Sequence, residues 1–169
     1  GRSVTVARDP RDELVEHLPA LRAFAMSLTR NSAGADDLVQ ETLVKAWSNM
    51  DKFEAGTNLR AWLFTILRNT YYSLHRKRRR EVEDPDGVMA GTLSHKPDHD
   101  GRLALDDFRV AFARLTDEQR EALILVGGEG FSYEEAAQTC NCAVGTIKSR
   151  INRARARLTE LMHLEENGE

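Results

Sequence analysis

The stretch from Ser132 to Leu158, SYEEAAQTCNCAVGTIKSRINRARARL, contains two short amphipathic patterns joined by a tight reversal. Ser132 followed by Glu135 has the spacing of a capping box, which gives the first helix a defined start. Ala136, Ala137 and Cys140 make its small inner face. Asn141 stands where the chain must turn, and Asn tolerates the left-handed conformation that such turns need. The second helix is expected from about Val144, with Val144, Ile147, Ile151, Ala154 and Leu158 recurring at helical spacing and facing inward. Lys148, Arg150, Arg153, Arg155 and Arg157 are left outside. A brace helix, a turn and a basic helix is the arrangement that lays a recognition helix in the major groove of DNA. A solvated basic helix in an ordinary bundle is the plainer alternative. Turn chemistry, charge and periodicity agree on the first reading.

The formal net charge of -3 over 169 residues would argue against a polyanionic partner if charge were evenly spread. It is segregated instead. Residues 59–80 hold seven Lys or Arg and no acid, and residues 144–157 hold five and none. Residues 81–107 carry eight acids against two bases. Such blocks decide which surfaces attract phosphate. The two cysteines, Cys140 and Cys142, suggest no disulfide framework, and a reducing cytoplasm is the simplest compartment. Cys140 reads as a small core residue, and no His/Cys spacing fits a standard zinc site. No apolar run is long enough to span a bilayer, so no membrane is expected; with no standard ligand spacing, no metal or other cofactor is expected either.

Upstream, three helical blocks are expected. Leu14, Leu18, Leu21, Ala25 and Leu28 trace one apolar face, in which Pro19 should kink the helix or restart it at a first-turn position. Asp36 to Asn49 follows, with Leu38, Val39, Thr42, Leu43, Ala46 and Trp47 on the inner side and Asp37, Gln40, Glu41, Val44 and Lys45 outside. A third helix opens near Asn58 and runs to about Arg80, with Leu59, Trp62, Leu63, Ile66 and Leu67 inward. The Gly-containing loop before it borders Trp62, Phe64, Tyr71, Tyr72 and basic residues, one way to hold single-stranded bases. From Glu81 to about Leu103 the sequence is rich in Asp, Gly and Pro and reads as a flexible tether reaching roughly 25 Å. His95, Asp98, His99 and Asp100 within it read as solvated rather than metal-binding. Helicity resumes near Ala104, where Leu105, Phe108, Phe112 and Leu115 form a stripe. Thr116 with Gln119 makes a second capping box, starting a helix through Val126 with Leu123, Ile124 and Val126 buried. The chain is expected to be all-α, with two small helical domains, residues 10–80 and 104–164, joined by a flexible linker over 81–103.

DDLVQETLVKAW, NLRAWLFTILRNTYYSLHRKRRR and LTDEQREALILVGGEGFSYEEAAQTCNCAVGTIKSRINRARARL together resemble an extracytoplasmic-function (ECF) type sigma factor of bacterial RNA polymerase. In that family the first segment is the polymerase-binding helix of sigma region two, and the second melts and reads the minus-ten element. The third is sigma region four, a helix-turn-helix that reads the minus-thirty-five element. The likeness covers about residues 11–160. GGEGFSYEEAA and CAVGTIKSR further resemble the general-stress-response subgroup, whose members are held inactive by a small helical anti-sigma protein.

The resemblance implies that Asp37, Gln40, Glu41 and Lys45 bind core RNA polymerase. It implies that Glu54, Ala55, Gly56, Thr57 and Asn58 hold a flipped promoter base, while Arg60, Arg68 and Arg76 hold the strand backbone. Thr146, Lys148, Ser149, Arg150 and Arg153 would meet the upstream promoter DNA duplex. Gly is usual in the family at the position of Asn141, and Ser or Pro at Ala143, where the lost cap is worth about 1 kcal/mol. The implied function is transcription initiation at stress-response promoters, with no catalytic residues and no cofactor. Two alternatives are a sigma-like decoy that sequesters the anti-sigma protein and an autonomous helix-turn-helix repressor. The decoy should show eroded basic faces or an attached receiver domain, and the repressor should not need the acidic-polar helix. An enzyme is disfavoured, since no phosphate-binding Gly loop, metal set or nucleophile elbow is present.

Overall fold

A computed structural model describes residues 10–54, 56–82 and 103–166, and among them every regular element is helical. A short helix α1 (Pro10–Glu13) runs through a 3₁₀ turn (Leu14–His17) into α2 (Leu18–Thr29). Pro19 sits at the start of α2, so it restarts the helix where its missing N–H costs nothing. Arg30 closes α2 in the left-handed conformation at φ 55°, and Asn31 caps α3 (Ser32–Ser48) by accepting from Gly34 N at 2.9 Å. That cap starts α3 one turn before the expected Asp36. Residues 50–52 make a 3₁₀ turn, and α4 (Leu59–Val82) begins where Asn58 Oδ1 accepts from Ala61 N at 3.1 Å.

The expected tether lies almost wholly outside the described residues. Beyond it come α5 (Leu103–Ala113) and α6 (Asp117–Ala122), then a π-wound segment (Leu123–Gly128). α7 (Tyr133–Cys140) and α8 (Val144–Glu166) complete the fold. Both expected capping boxes form, Thr116 with Gln119 and Ser132 with Glu135. Asn141 takes the left-handed turn at φ 53°.

The two helical units pack against each other around one continuous core. Phe24 of α2 stacks on Phe64 of α4 at 5.0 Å between ring centroids, and Phe64 meets Phe131, just before α7, at 5.4 Å. All three rings are buried. Burying a side chain of this size is worth about 1.5–3 kcal/mol, so the contact between the units is a packed interface.

Several periodicity assignments need correction. Trp47 is 55% exposed, because it continues the outer stripe of Asp37, Gln40 and Val44. Leu105 and Phe108 are exposed on α5, while Ala111 and Leu115 are buried. In the π-wound segment the buried residue is Leu125, with Leu123, Ile124 and Val126 only partly covered. The extra residue per turn shifts which side chain meets the core.

Candidate polymerase and nucleic-acid interfaces

On α3, residues three and four apart share a face, so Asp37, Gln40, Val44, Lys45 and Trp47 are exposed together, with Glu41 half-covered. Lys45 Nζ donates to Thr70 Oγ1 of α4 at 3.1 Å and lies 3.9 Å from Glu41. The Arg11 guanidinium covers the Trp47 ring at 5.0 Å. An aromatic and a valine exposed among acidic and polar groups is the composition of a protein-binding patch, with large anchors and a polar rim.

The loop before α4 is a tight turn. Thr57 Oγ1 donates to the Glu54 carbonyl at 2.6 Å, and Gly56 sits at φ 91° with open space where a Cβ would stand. Ala55 lies outside the described residues. Glu54, Gly56, Thr57 and Asn58 are exposed. Beside this loop an open groove of about 290 Å³ runs between α3 and α4, lined by Lys45, Asn49, Lys52, Trp62, Asn69 and Ser73.

The first turns of α4 face the second unit. Asn58 Nδ2 donates to Glu135 at 3.0 Å, and Arg60 lies 3.7 Å from Glu129 with its guanidinium 4.8 Å above the Phe131 ring. Arg68 Nε donates to both Glu121 oxygens at 3.0 and 3.1 Å, and its guanidinium stacks on Tyr72. Tyr72 donates to Glu121 at 3.2 Å and Tyr71 to Asp117 at 3.0 Å. Burial raises the Glu121 carboxyl above its ordinary value, against the pull of Arg68. Burial would lower Arg68, but Glu121, with Cys140 and Tyr72 beside it, outweighs that effect and the guanidinium is held more firmly charged. Burial, reinforced by the facing carboxylates, pushes both tyrosine hydroxyls up. Arg76, two turns beyond Arg68, is exposed and donates to Ser73 Oγ at 3.4 Å.

In the helix-turn-helix, Ile147, Ile151, Ala154 and Leu161 are buried. Lys148, Arg153 and Arg155 are exposed, while Thr146, Ser149 and Arg150 are half-buried at the front of the helix. Lys148 Nζ stands 5.8 Å over the Tyr133 ring, and Arg150 approaches Cys142 Sγ at 3.9 Å. Cys140 is buried, and that burial raises its thiol far above its ordinary range.

Arg120 and Glu121 were not singled out in the sequence, and both are fully buried. Glu121 precedes Leu125 by four residues on the stripe facing the core, and the acid there is satisfied by Arg68 and Tyr72 from the other unit. Only a partner distant in sequence explains it. A second groove of about 360 Å³ opens between α2 and α5, with Met26, Phe108, Phe112 and Ile124 on its walls and Arg30 and Arg109 beside them. No helix among the described residues is long and apolar enough to cross a membrane, and no group of three or more metal-ligating side chains occurs among them. His95, Asp98, His99 and Asp100 lie outside the described residues.

Residues 14–81 match the family model of sigma-70 region 2, and residues 105–158 match that of sigma-70 region 4. The chain is 57% identical over 155 residues to the ECF RNA polymerase sigma factor EcfG of Rhodopseudomonas palustris, covering 92% of this chain and 86% of that protein. It superposes with a TM-score of 0.82 on the sigma factor RpoE crystallised with the anti-sigma factor NepR from Bartonella quintana. That match is 56% identical over 93% of this chain and 98% of the other. A further match, at TM-score 0.66 and 29% identity, is CnrH in complex with the cytosolic domain of CnrY, covering 92% and 88% of the two chains.

Proposed function

The chain belongs to the ECF sigma factors of bacterial RNA polymerase, and on that premise we propose how its surfaces divide the work of initiation. It directs core polymerase to stress-response promoters and acts by binding in the cytoplasm, with no chemical step of its own. Asp37, Gln40, Glu41 and Lys45, with Val44 and Trp47 among them, form the surface that core polymerase engages. Glu54 to Asn58 receive a flipped base of the minus-ten element, and Arg60, Arg68 and Arg76 hold the adjoining backbone. Thr146, Lys148, Ser149, Arg150 and Arg153 meet the minus-thirty-five duplex, where phosphate contacts set the register and a few side chains read base edges. The two DNA-binding units correspond to residues 10–80 and 104–164, with 81–103 as the connection that allows them to span a promoter.

The observation that carries this reading is the segregation of faces. The exposed acidic-polar stripe of α3 and the exposed basic side of α8 belong to opposite ends of one chain, each suited to a different partner. Extruding a base costs a few kcal/mol, which an isolated basic helix does not recover, so polymerase tethering supplies the effective concentration. Relatives solved with anti-sigma proteins support the same control here. The apolar groove flanked by Arg30 and Arg109 suits an amphipathic helix of such a partner.

Co-purification with core polymerase tests the assignment. Asp37→Lys combined with Glu41→Lys should abolish it while the helical content and unfolding midpoint stay unchanged. Retained polymerase binding in that folded variant overturns the role of this face.

A further inference from the structure

The three most exposed large apolar side chains among the described residues, Val15, Val44 and Trp47, all belong to the first unit. Val44 and Trp47 lie three apart on α3 and share its outer face. Trp47 is the aromatic side chain of that face, and it is 55% exposed. The Arg11 guanidinium lies over its ring at 5.0 Å from the centroid. Arg11 comes from α1, a helix of four residues, too short to be stable by itself. Leu14, one turn further on, is buried in the core and anchors this segment. Arg11 is thereby delivered to the ring, where it is half-buried.

We propose that Arg11 is a positioning residue for polymerase binding: stacked on one face of Trp47, it holds the ring in one orientation with the rest of the indole presented to core polymerase. The inference rests on the assignment of the α3 face to core polymerase. A guanidinium is attracted to the negative face of an aromatic ring, most strongly to that of tryptophan. An exposed tryptophan without such a cover samples several rotamers, and ordering it is one of the costs of association. The covered ring is ordered before the encounter. Large aromatic side chains of this kind are the ones that dominate interfaces. Charge also argues that Arg11 acts through the ring. A partner that complements Asp37 and Glu41 is basic where it meets them, and a free arginine at the margin would repel it. Engaged with the Trp47 ring, the same charge is directed inward.

Biolayer interferometry of the full chain against purified core RNA polymerase, run as a double-mutant cycle, tests this. Arg11→Ala should weaken binding about threefold, the scale of an exposed cation–π contact. Trp47→Ala should weaken it about thirtyfold, the scale of an interface anchor. In the Trp47→Ala background, Arg11→Ala should have no further effect. Arg11→Lys keeps a cation over the ring and should recover most of the affinity, whereas Arg11→Gln should not. Circular dichroism confirms that each variant is folded. Time-resolved fluorescence anisotropy in a Trp62→Phe chain, where Trp47 is the remaining tryptophan, should show faster ring motion once Arg11→Ala is added. Equal affinity of wild type and Arg11→Ala, with Trp47→Ala still weakened, overturns the positioning role and leaves the polymerase face standing. An Arg11→Ala loss of the same size with and without the Trp47 ring means direct contact with polymerase and also overturns it. Wild-type binding by both Trp47→Ala and the Asp37→Lys, Glu41→Lys chain removes the polymerase face and the positioning role together.

Discussion

Arg120 of α6 donates its Nε proton to the carbonyl of Ser27 in α2 at 2.6 Å, a buried bond between residues 93 positions apart. The same guanidinium donates to the carbonyl of Leu115 and pairs with Asp117, so one side chain ties the start of α6 to the other unit. Burial lowers its affinity for its proton, with Asp117 opposing that effect. Alongside it, Arg30 Nη1 donates to the Ala113 carbonyl at 2.8 Å. The Arg120 fork thus satisfies the buried carbonyl oxygens of Ser27 and Leu115, whereas the Arg30 bond is exposed.

Arg120→Ala should therefore destabilise the chain by about 3 kcal/mol, since it strands two buried carbonyls and opens space in the core. Urea unfolding followed by circular dichroism measures this. Arg120→Lys should recover only part, because an ammonium cannot reproduce the fork. A loss below about 0.5 kcal/mol for the alanine variant, the scale of an ordinary surface change, would show that the contact between units contributes little.

On the recognition helix, Lys148→Ala and Arg153→Ala should each weaken binding to a minus-thirty-five duplex and reduce the salt dependence by about one phosphate contact. Arg150, half-buried beside Cys142, faces the front of the helix. If it reads a guanine edge, Arg150→Ala should relax preference at one base pair by about 1–3 kcal/mol while leaving the salt slope nearly intact. Filter binding across a salt series distinguishes the two classes. Wild-type affinity and slope in all three variants would remove this helix from the DNA interface.

The local elements were legible in the sequence because their signals are local. The Thr116–Gln119 and Ser132–Glu135 boxes, Pro19 at the start of α2 and Asn141 in the turn are each decided within a few residues. The α3 outer stripe was read correctly except for Trp47, where hydrophobicity outweighed phase. What the sequence did not show was the seam between units. Phe64 was placed beside a base-holding loop, yet it is the ring joining both halves of the core. Glu121 and Arg120 are charged residues on core-facing positions, and their partners lie 53 and 93 residues away. Helical periodicity assigns a face but not what that face meets.

Glu121 gives the seam a pH dependence whose sign is fixed by its environment. Burial raises its carboxyl above the ordinary glutamate value, with Arg68 and Tyr72 pulling it back. A folded-state value above the unfolded one means the folded chain retains a proton that the unfolded chain has released. The stabilisation from that proton is fully present below the ordinary carboxylate value and is lost as pH rises through the raised one. Glu121→Gln cannot titrate and keeps an oxygen acceptor for Arg68 and Tyr72. Wild type should therefore lose more stability than Glu121→Gln as pH rises above the ordinary glutamate value, and urea midpoints compared pairwise across the pH series cancel the contributions of groups that the substitution leaves alone. A difference that stays constant with pH would mean that the fold does not perturb Glu121. A difference of opposite sign would mean that the Arg68 contact outweighs burial and lowers the carboxyl instead.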